Sequence, residues 1–216
     1  ANRTVHGNNT GAALGGALGS SHEAGVDKLT FIISPPVASL GSWGEQLIAE
    51  STGKEGKGIV PVEGEVPGRP EVYGDDRLFV YLRLDGDTTY DEAVSLLQRA
   101  GRPVLRLELA DRYDTSAEFF RWEFATAVAG HVMGINPFDQ PDVESAKAQA
   151  RKMLDSYRES GRLPDPEPTF SCGNVDVYTD IGTQDLAGSV NGFLSLSGPG
   201  DYVALLAYVD PVPETA

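Results

Sequence analysis

Ser42-Trp-Gly-Glu-Gln46-Leu-Ile-Ala-Glu50-Ser-Thr-Gly53-Lys-Glu-Gly56-Lys-Gly58-Ile-Val-Pro-Val62 reads as a helix, a glycine-rich loop and a strand in immediate succession. Trp43 and Leu47, four residues apart, start an apolar stripe on the helix. Glu50 falls where that stripe next calls for an apolar side chain. Gln46 precedes Glu50 by one helical turn, so the two polar heads project from neighbouring points of one face. Gly53, Gly56 and Gly58 then allow a tight return into the strand Gly58 to Val62. A carboxylate at the end of an element, beside a glycine-rich loop, is well placed to act as a general base. A solvated helix end is the plainer reading of the same residues.

Outward from this stretch, helices and strands alternate. Lys28 to Ser34 is a near-continuous apolar run, the pattern of a strand buried on both faces, and Pro35-Pro36 ends it. After a Gly-, Pro- and acid-rich loop from Glu63 to Asp76, Arg77 to Leu84 reads as a strand and Asp87 to Ala100 as a helix, with Thr88 or Thr89 as cap and Gly101 closing it. Pro103 to Leu109 is a further strand. Ser116 to Met133 reads as a long helix with Phe119, Phe120, Phe124, Ala127 and Val128 facing the core, broken by Gly134-Ile-Asn-Pro137. The next helix runs from Asp142 to Glu159 with Val143, Lys147, Ala150, Leu154 and Tyr157 as its buried stripe. Lys147 is the anomaly in that stripe and must either snorkel to water or face a polar cavity. Beyond a linker at Pro164 to Pro168 come an extended segment from Phe170 to Tyr178, a short helix from Gln184 to Leu194 and a last apolar strand from Asp201 to Val209. The alternation predicts an α/β fold, a three-layer α/β/α sandwich with a mostly parallel five-stranded sheet and a site at the strand carboxyl ends. Before the first strand, Gly11-Ala-Ala-Leu-Gly-Gly-Ala-Leu-Gly19 carries small residues at helical spacing, as in a helix packed closely against a partner outside this chain.

Composition narrows the function. The 216 residues carry a net charge of −15, with Lys and Arg scattered singly, so the long-range field repels nucleic acid and anionic membranes. No run approaches the roughly 18 apolar residues of a membrane span. Cys172 is the single cysteine, which excludes an internal disulfide and fits a reducing, cytoplasmic compartment. The first residues, through Asn9, lack a charged start followed by an apolar core, so no secretory leader is expected. His6, His22 and His131 are neither clustered nor paired with acids at ligand spacing, and no metal or other cofactor is expected.

Two stretches carry a resemblance to a known family. Gln46-x3-Glu50-Ser51-x-Gly53-Lys54 looks like the segment around the catalytic glutamate of glucose-6-phosphate isomerases. Gly134-Ile-Asn-Pro-Phe-Asp-Gln140-Pro-Asp-Val-Glu-Ser-Ala-Lys147 is similar to a second signature of that family. The chain thus resembles the second sugar-isomerase (SIS) domain of these enzymes, a flavodoxin-like fold, and its wording looks most like the isomerase part of bifunctional transaldolase/glucose-6-phosphate isomerase proteins. The resemblance implies residues 1–27 as the tail of a preceding isomerase subdomain and residues 28–216 as the SIS domain, truncated at its end. It implies Glu50 as the base moving a proton between C1 and C2, Lys147 beside the substrate, and Gln46 and Gln140 as pocket residues. The implied reaction interconverts glucose 6-phosphate and fructose 6-phosphate in glycolysis and gluconeogenesis. The implied partners are the sugar-phosphate substrate, an N-terminal isomerase half and a second copy in a homodimer.

The departures are specific. The family's phosphate-gripping Ser/Thr loop and Gly-Gly-Arg segment belong to the first isomerase half. A ring-opening histidine would fall near Tyr73 to Arg77, where none occurs. Glu123 reads as structural. Two other readings follow from the same sequence: a sugar-phosphate-binding SIS module without chemistry, against which a retained base argues, and a folding and dimerisation unit.

Overall fold

A computed structural model describes residues 9–210. They form two compact units, one running to Glu144 and the other beginning at Ser145.

The first unit is built on four parallel strands, β1 (Lys28–Ile33), β2 (Val60–Val62), β3 (Arg77–Leu84) and β4 (Val104–Leu109), in the order β2-β1-β3-β4. The register pairs Lys28 with Val60 and Arg77, and Phe79 with Val104. Because successive side chains alternate, each central strand is apolar towards both faces. Leu29, Phe31, Leu78, Val80 and Leu82 pack against α1 (Thr10–Glu23), α2 (Leu40–Thr52) and α4 (Thr115–Met133) through Leu14, Leu18, Ile48, Trp122 and Met133. Ile32, Phe79 and Tyr81 face the other way, against Val94 and Leu97 of α3 (Asp91–Arg99). Helices thus cover both faces, which makes the three layers. Asp91, in the first turn of α3, accepts hydrogen bonds from Tyr81 Oη at 3.0 Å and Arg83 Nε at 2.9 Å and fixes that helix to β3.

The second unit contains most of α5 (Pro141–Ser160), an antiparallel hairpin of β5 (Phe170–Cys172) and β6 (Val175–Val177), and α6 (Leu186–Leu194). Gly173 takes the positive φ of 62° that the two-residue hairpin turn requires. Asp185 caps α6 by accepting from Gly188 N at 2.7 Å.

Several expectations are corrected. The main sheet has four strands, not five. Asp201 to Val209 has no regular secondary structure, and Leu205 and Leu206 are 95% and 94% exposed. An apolar run becomes a strand only when a neighbour takes its backbone N–H and C=O groups. The helix expected from Asp87 starts at Asp91 instead. Asp87 Oδ1 accepts from Thr89 N at 3.0 Å, a local turn that competes with the helix, and neither threonine caps it. On α4 the buried face is Glu118, Trp122, Ala125, Thr126, Ala129 and Met133, while Phe119 and Phe120 are exposed. The expected α5 stripe is not buried: Lys147, Ala150, Leu154 and Tyr157 are exposed and Val143 is half-buried.

The helix expected to pack on something outside the chain has its partner within it. Gly11, Gly15 and Gly19 of α1 lie on α4, where a Cβ at Gly15 would stand 2.3 Å from the Ala125 carbonyl oxygen and one at Gly19 would stand 2.6 Å from Val132 Cβ.

Glu118 is 1% exposed, with Oε1 2.7 Å from Arg121 Nη1 and Oε2 buried without a hydrogen-bond partner. Burial pushes its carboxyl above the ordinary 4.5, with Arg121 opposing the shift. The fold therefore holds a proton that the unfolded chain releases. Stability from this group is present below pH 4.5 and declines as pH rises through the raised folded value. Glu118→Gln cannot titrate, so its melting temperature relative to wild type should climb between pH 4 and pH 7. A difference that stays constant over that range would contradict the burial argument.

Candidate functional site

The last turn of α2 joins β2 through a loop that the sequence fixes tightly. Thr52 Oγ1 donates to Ile48 O at 2.7 Å and accepts from Ile59 N at 2.9 Å, tying the end of α2 to the chain entering β2. Between them Lys54 and Lys57 pair as a short antiparallel bridge. Its two-residue turn, Glu55 and Gly56, has φ of 56° and 74°. A type I′ turn needs positive φ at both positions, which glycine accepts freely and glutamate does not. Exposed Glu55→Asn should raise stability by about 1 kcal/mol through relief of the left-handed backbone. A higher urea midpoint at unchanged slope is the expected reading.

Both lysines reach across to the end of α4. Lys57 Nζ donates to Met133 O, one of the last carbonyls of that helix. Lys54 is buried, and its Nζ donates to Asn136 O at 3.2 Å and to Asp139 O, and lies 3.3 Å from Asp139 Oδ1. Gly134 ends α4 with φ of 69°, Pro137 packs on Gly130, and Asn136 Oδ1 accepts from Phe138 N at 3.1 Å. This turn delivers Gln140, immediately before Pro141 at the start of α5.

Gln46, Glu50 and Gln140 meet. Glu50 Oε2 accepts from Gln46 Nε2 at 2.9 Å and Oε1 accepts from Gln140 Nε2 at 2.8 Å, the latter bond joining positions 90 residues apart. The carboxylate is half-buried on a cleft of about 280 Å³, lined by Trp43, Gln46, Leu47, Lys54, Glu123 and Gln140 among others. Trp43 stands edge-on to Phe119 with ring centroids 4.5 Å apart, which fixes one wall. Lys147 lies exposed on α5, in the second unit.

The cleft is not at the strand carboxyl ends, where the fold rule had put it. α2 runs back from the end of β1 to the start of β2, so its last turn, with Glu50, lies beside the amino ends of the strands. The crevice at the carboxyl ends is a cavity of about 90 Å³ lined by Ile33, Glu63, Glu65 and Tyr90. Ligand pockets usually begin near roughly 300 Å³. Glu63 occupies part of this crevice, accepting from Ser42 Oγ at 3.1 Å.

Lys54 is a cleft residue that sequence reasoning left without a role, and Glu123, read there as structural, lines the same cleft. The signal for Lys54 was present in Lys-Glu-Gly-Lys, a two-residue turn between cations that must project together. Glu123 carried no such signal, since its exposed position on α4 depends on which face α1 covers. Among the described residues no group of three or more His, Cys, Asp or Glu is placed to hold a metal; His6 lies outside them. Among the same residues no helix is long and apolar enough to cross a membrane.

No family model matches the chain. It is 29% identical to the glucose-6-phosphate isomerase of Rubrobacter xylanophilus, across 68% of this chain and 43% of that protein. The protein of the same name from Lactobacillus helveticus is 27% identical, across 52% and 34%, and that of Pediococcus pentosaceus 28%, across 56% and 35%. The chain is thus distantly related to proteins named glucose-6-phosphate isomerase and spans a third to two fifths of their length. A crystal structure described as a hypothetical protein from Thermus thermophilus is similar across 68% of this chain and 45% of its own, with a TM-score of 0.54 and 21% identity. That likeness shows the fold.

Proposed function

We propose that this chain carries the base of an aldose-ketose isomerase interconverting glucose 6-phosphate and fructose 6-phosphate. The observation that carries the reading is the Glu50 carboxylate, gripped on both oxygens by amide donors and set on a cleft. Aldose-ketose isomerisation breaks a C–H bond beside a carbonyl, and one base must reach two adjacent carbons. Glu50 takes the proton from C2 of the open aldose as the C1 carbonyl oxygen gains one. The resulting enediol loses its O2 proton while C1 receives the proton that Glu50 holds, so atoms and charge balance with no external oxidant. Gln46 and Gln140 keep the carboxylate aimed throughout. The resemblance implies Lys147 as the cation beside the substrate, a role that would offset the negative charge gathering on the substrate oxygens as the C2 proton leaves. Binding of the phosphate falls to the N-terminal isomerase half that the resemblance implies.

The test is fructose 6-phosphate with the full-length protein in heavy water, followed by proton NMR for deuterium at C1 or C2, with Glu50→Gln as control. Deuterium entry that vanishes in the variant is the expected outcome. Tight binding of the sugar phosphate without any exchange would instead identify a module that binds and does no chemistry.

A further inference from the structure

An amide can orient a carboxylate only if the amide is itself held. Gln46 is held by α2, one turn from Glu50 on the same helix. Gln140 stands at the end of the seven-residue link between Met133 and Pro141 that joins α4 to α5, and its carbonyl accepts from Glu144 N at 3.1 Å in the first turn of α5. The side chain that reaches into this link from the loop after α2 and touches both its middle and its end is Lys54. Its ammonium has three N–H donors and no acceptor. The structure gives it three partners, Asn136 O, Asp139 O and Asp139 Oδ1, all within the five residues that end at Gln140. With 6% of its side chain exposed, this cation is committed to the link. Its own backbone is fixed in turn, by the Lys54–Lys57 bridge and by Lys57 Nζ on Met133 O.

We infer that Lys54 is a positioning residue: it clamps the 136–139 turn and thereby sets Gln140 on Glu50. The inference rests on the reading of Glu50 as the base for its kinetic consequence, although the clamp itself is a structural claim. Burying a cation is costly unless it is partnered, and here two backbone carbonyls accept its hydrogen bonds and a carboxylate oxygen lies 3.3 Å away. The exposed Asp139 carboxylate alone would not require a buried lysine, since an exposed partner can be reached from the surface.

The experiment is Lys54→Met in the full-length protein, read in two ways. The first is the side-chain amide signals of Gln46 and Gln140 in a ¹⁵N-labelled sample, assigned by Gln46→Ala and Gln140→Ala. The clamp predicts that Lys54→Met moves the Gln140 signal to the position of a free amide while the Gln46 signal stays. An unmoved Gln140 signal overturns the inference whether or not the protein proves to be an isomerase. The second is kinetic. Loss of aim without loss of the cleft should lower kcat by up to ~10²-fold with KM changed little, the penalty of a misplaced reacting group. The double variant with Gln140→Ala should then be no slower than the worse single one. Equal losses through KM, or losses that multiply in the double variant, would mean that Lys54 merely holds the fold. Absence of exchange in the wild type would remove the base reading and leave the amide result to decide the clamp. Should Lys54→Met not fold, Lys54→Gln keeps one donor for a carbonyl and is read in the same two ways.

Discussion

Glu50→Gln should lower kcat roughly a thousandfold in the full-length protein, within the range lost when a positioned base is removed, while substrate binding stays close to wild type. The substitution preserves volume and polarity, so the cleft keeps its shape. What changes is the hydrogen-bond inventory. Glu50 accepts from two amides, Gln46 Nε2 and Gln140 Nε2, one on each oxygen. A glutamine has one acceptor oxygen and one donor NH2, so it can satisfy one of these amides and must turn a donor on the other. Either neighbour can flip its own amide to offer oxygen instead, which keeps the cost to the fold small. The variant should therefore melt near wild type, and a large drop in melting temperature would mean that the kinetic loss reports on folding. Glu50→Asp is the companion: the base is kept but withdrawn by one methylene, and misplacement of about this size costs on the order of 10²-fold. An Asp variant as inert as the Gln variant would show that reach matters as much as basicity. A Gln variant with near wild-type turnover would remove Glu50 from the chemistry.

Gly15→Ala should cost about 2 kcal/mol or more, although alanine is the better helix former by about 1 kcal/mol. The added Cβ would stand 2.3 Å from the Ala125 carbonyl oxygen and 2.7 Å from Val128 Cβ. Neither the oxygen nor its carbonyl carbon can rotate away, since both belong to the α4 backbone, so the helices must separate and Leu14 and Leu18 lose contact with Trp122 and its neighbours. Gly16, the next residue, has nothing within 4 Å of its built Cβ. There the propensity term acts alone, and Gly16→Ala should stabilise by about 1 kcal/mol. In a chain of this size each kcal/mol moves the melting temperature by roughly 2–4 °C. The two neighbouring substitutions should thus shift melting in opposite directions. Two shifts of the same sign would mean that α1 does not approach α4 as closely as described.

The strands of the sheet were legible because strands buried on both faces are written as unbroken apolar runs. Lys28 to Ser34 and Arg77 to Leu84 needed no knowledge of partners. Gln46 and Glu50 were legible as a pair because helix geometry fixes their separation. Gln140 came only from resemblance, since nothing local connects it to a residue 90 positions earlier. The failures share a cause. The buried face of α4 begins with Glu118 and skips Phe119 and Phe120, so counting apolar residues selected the wrong side. The partner of the glycine-rich α1 was sought outside because small residues announce a close approach without saying to what. The stripe of α5 and the run from Asp201 to Val209 have the patterns of packed elements, but a pattern states readiness to be covered, and the cover comes from elsewhere.

The pairing of α1 with α4 also sets a schedule. The face made by Gly11, Gly15 and Gly19 is synthesised before the surface that receives it, from Arg121 to Val132, which lies more than a hundred residues further along the chain. At about 5–20 residues per second, the wait is roughly 5–25 s. During it Leu14 and Leu18 lack their cover and β1 lacks one of its layers, so the nascent chain is a client for holding factors before it is a folded domain. A slow stretch of codons far enough past Met133 for α4 to have cleared the ribosome would give it time to close on α1, and the same pause placed before Trp122 would only lengthen the exposure.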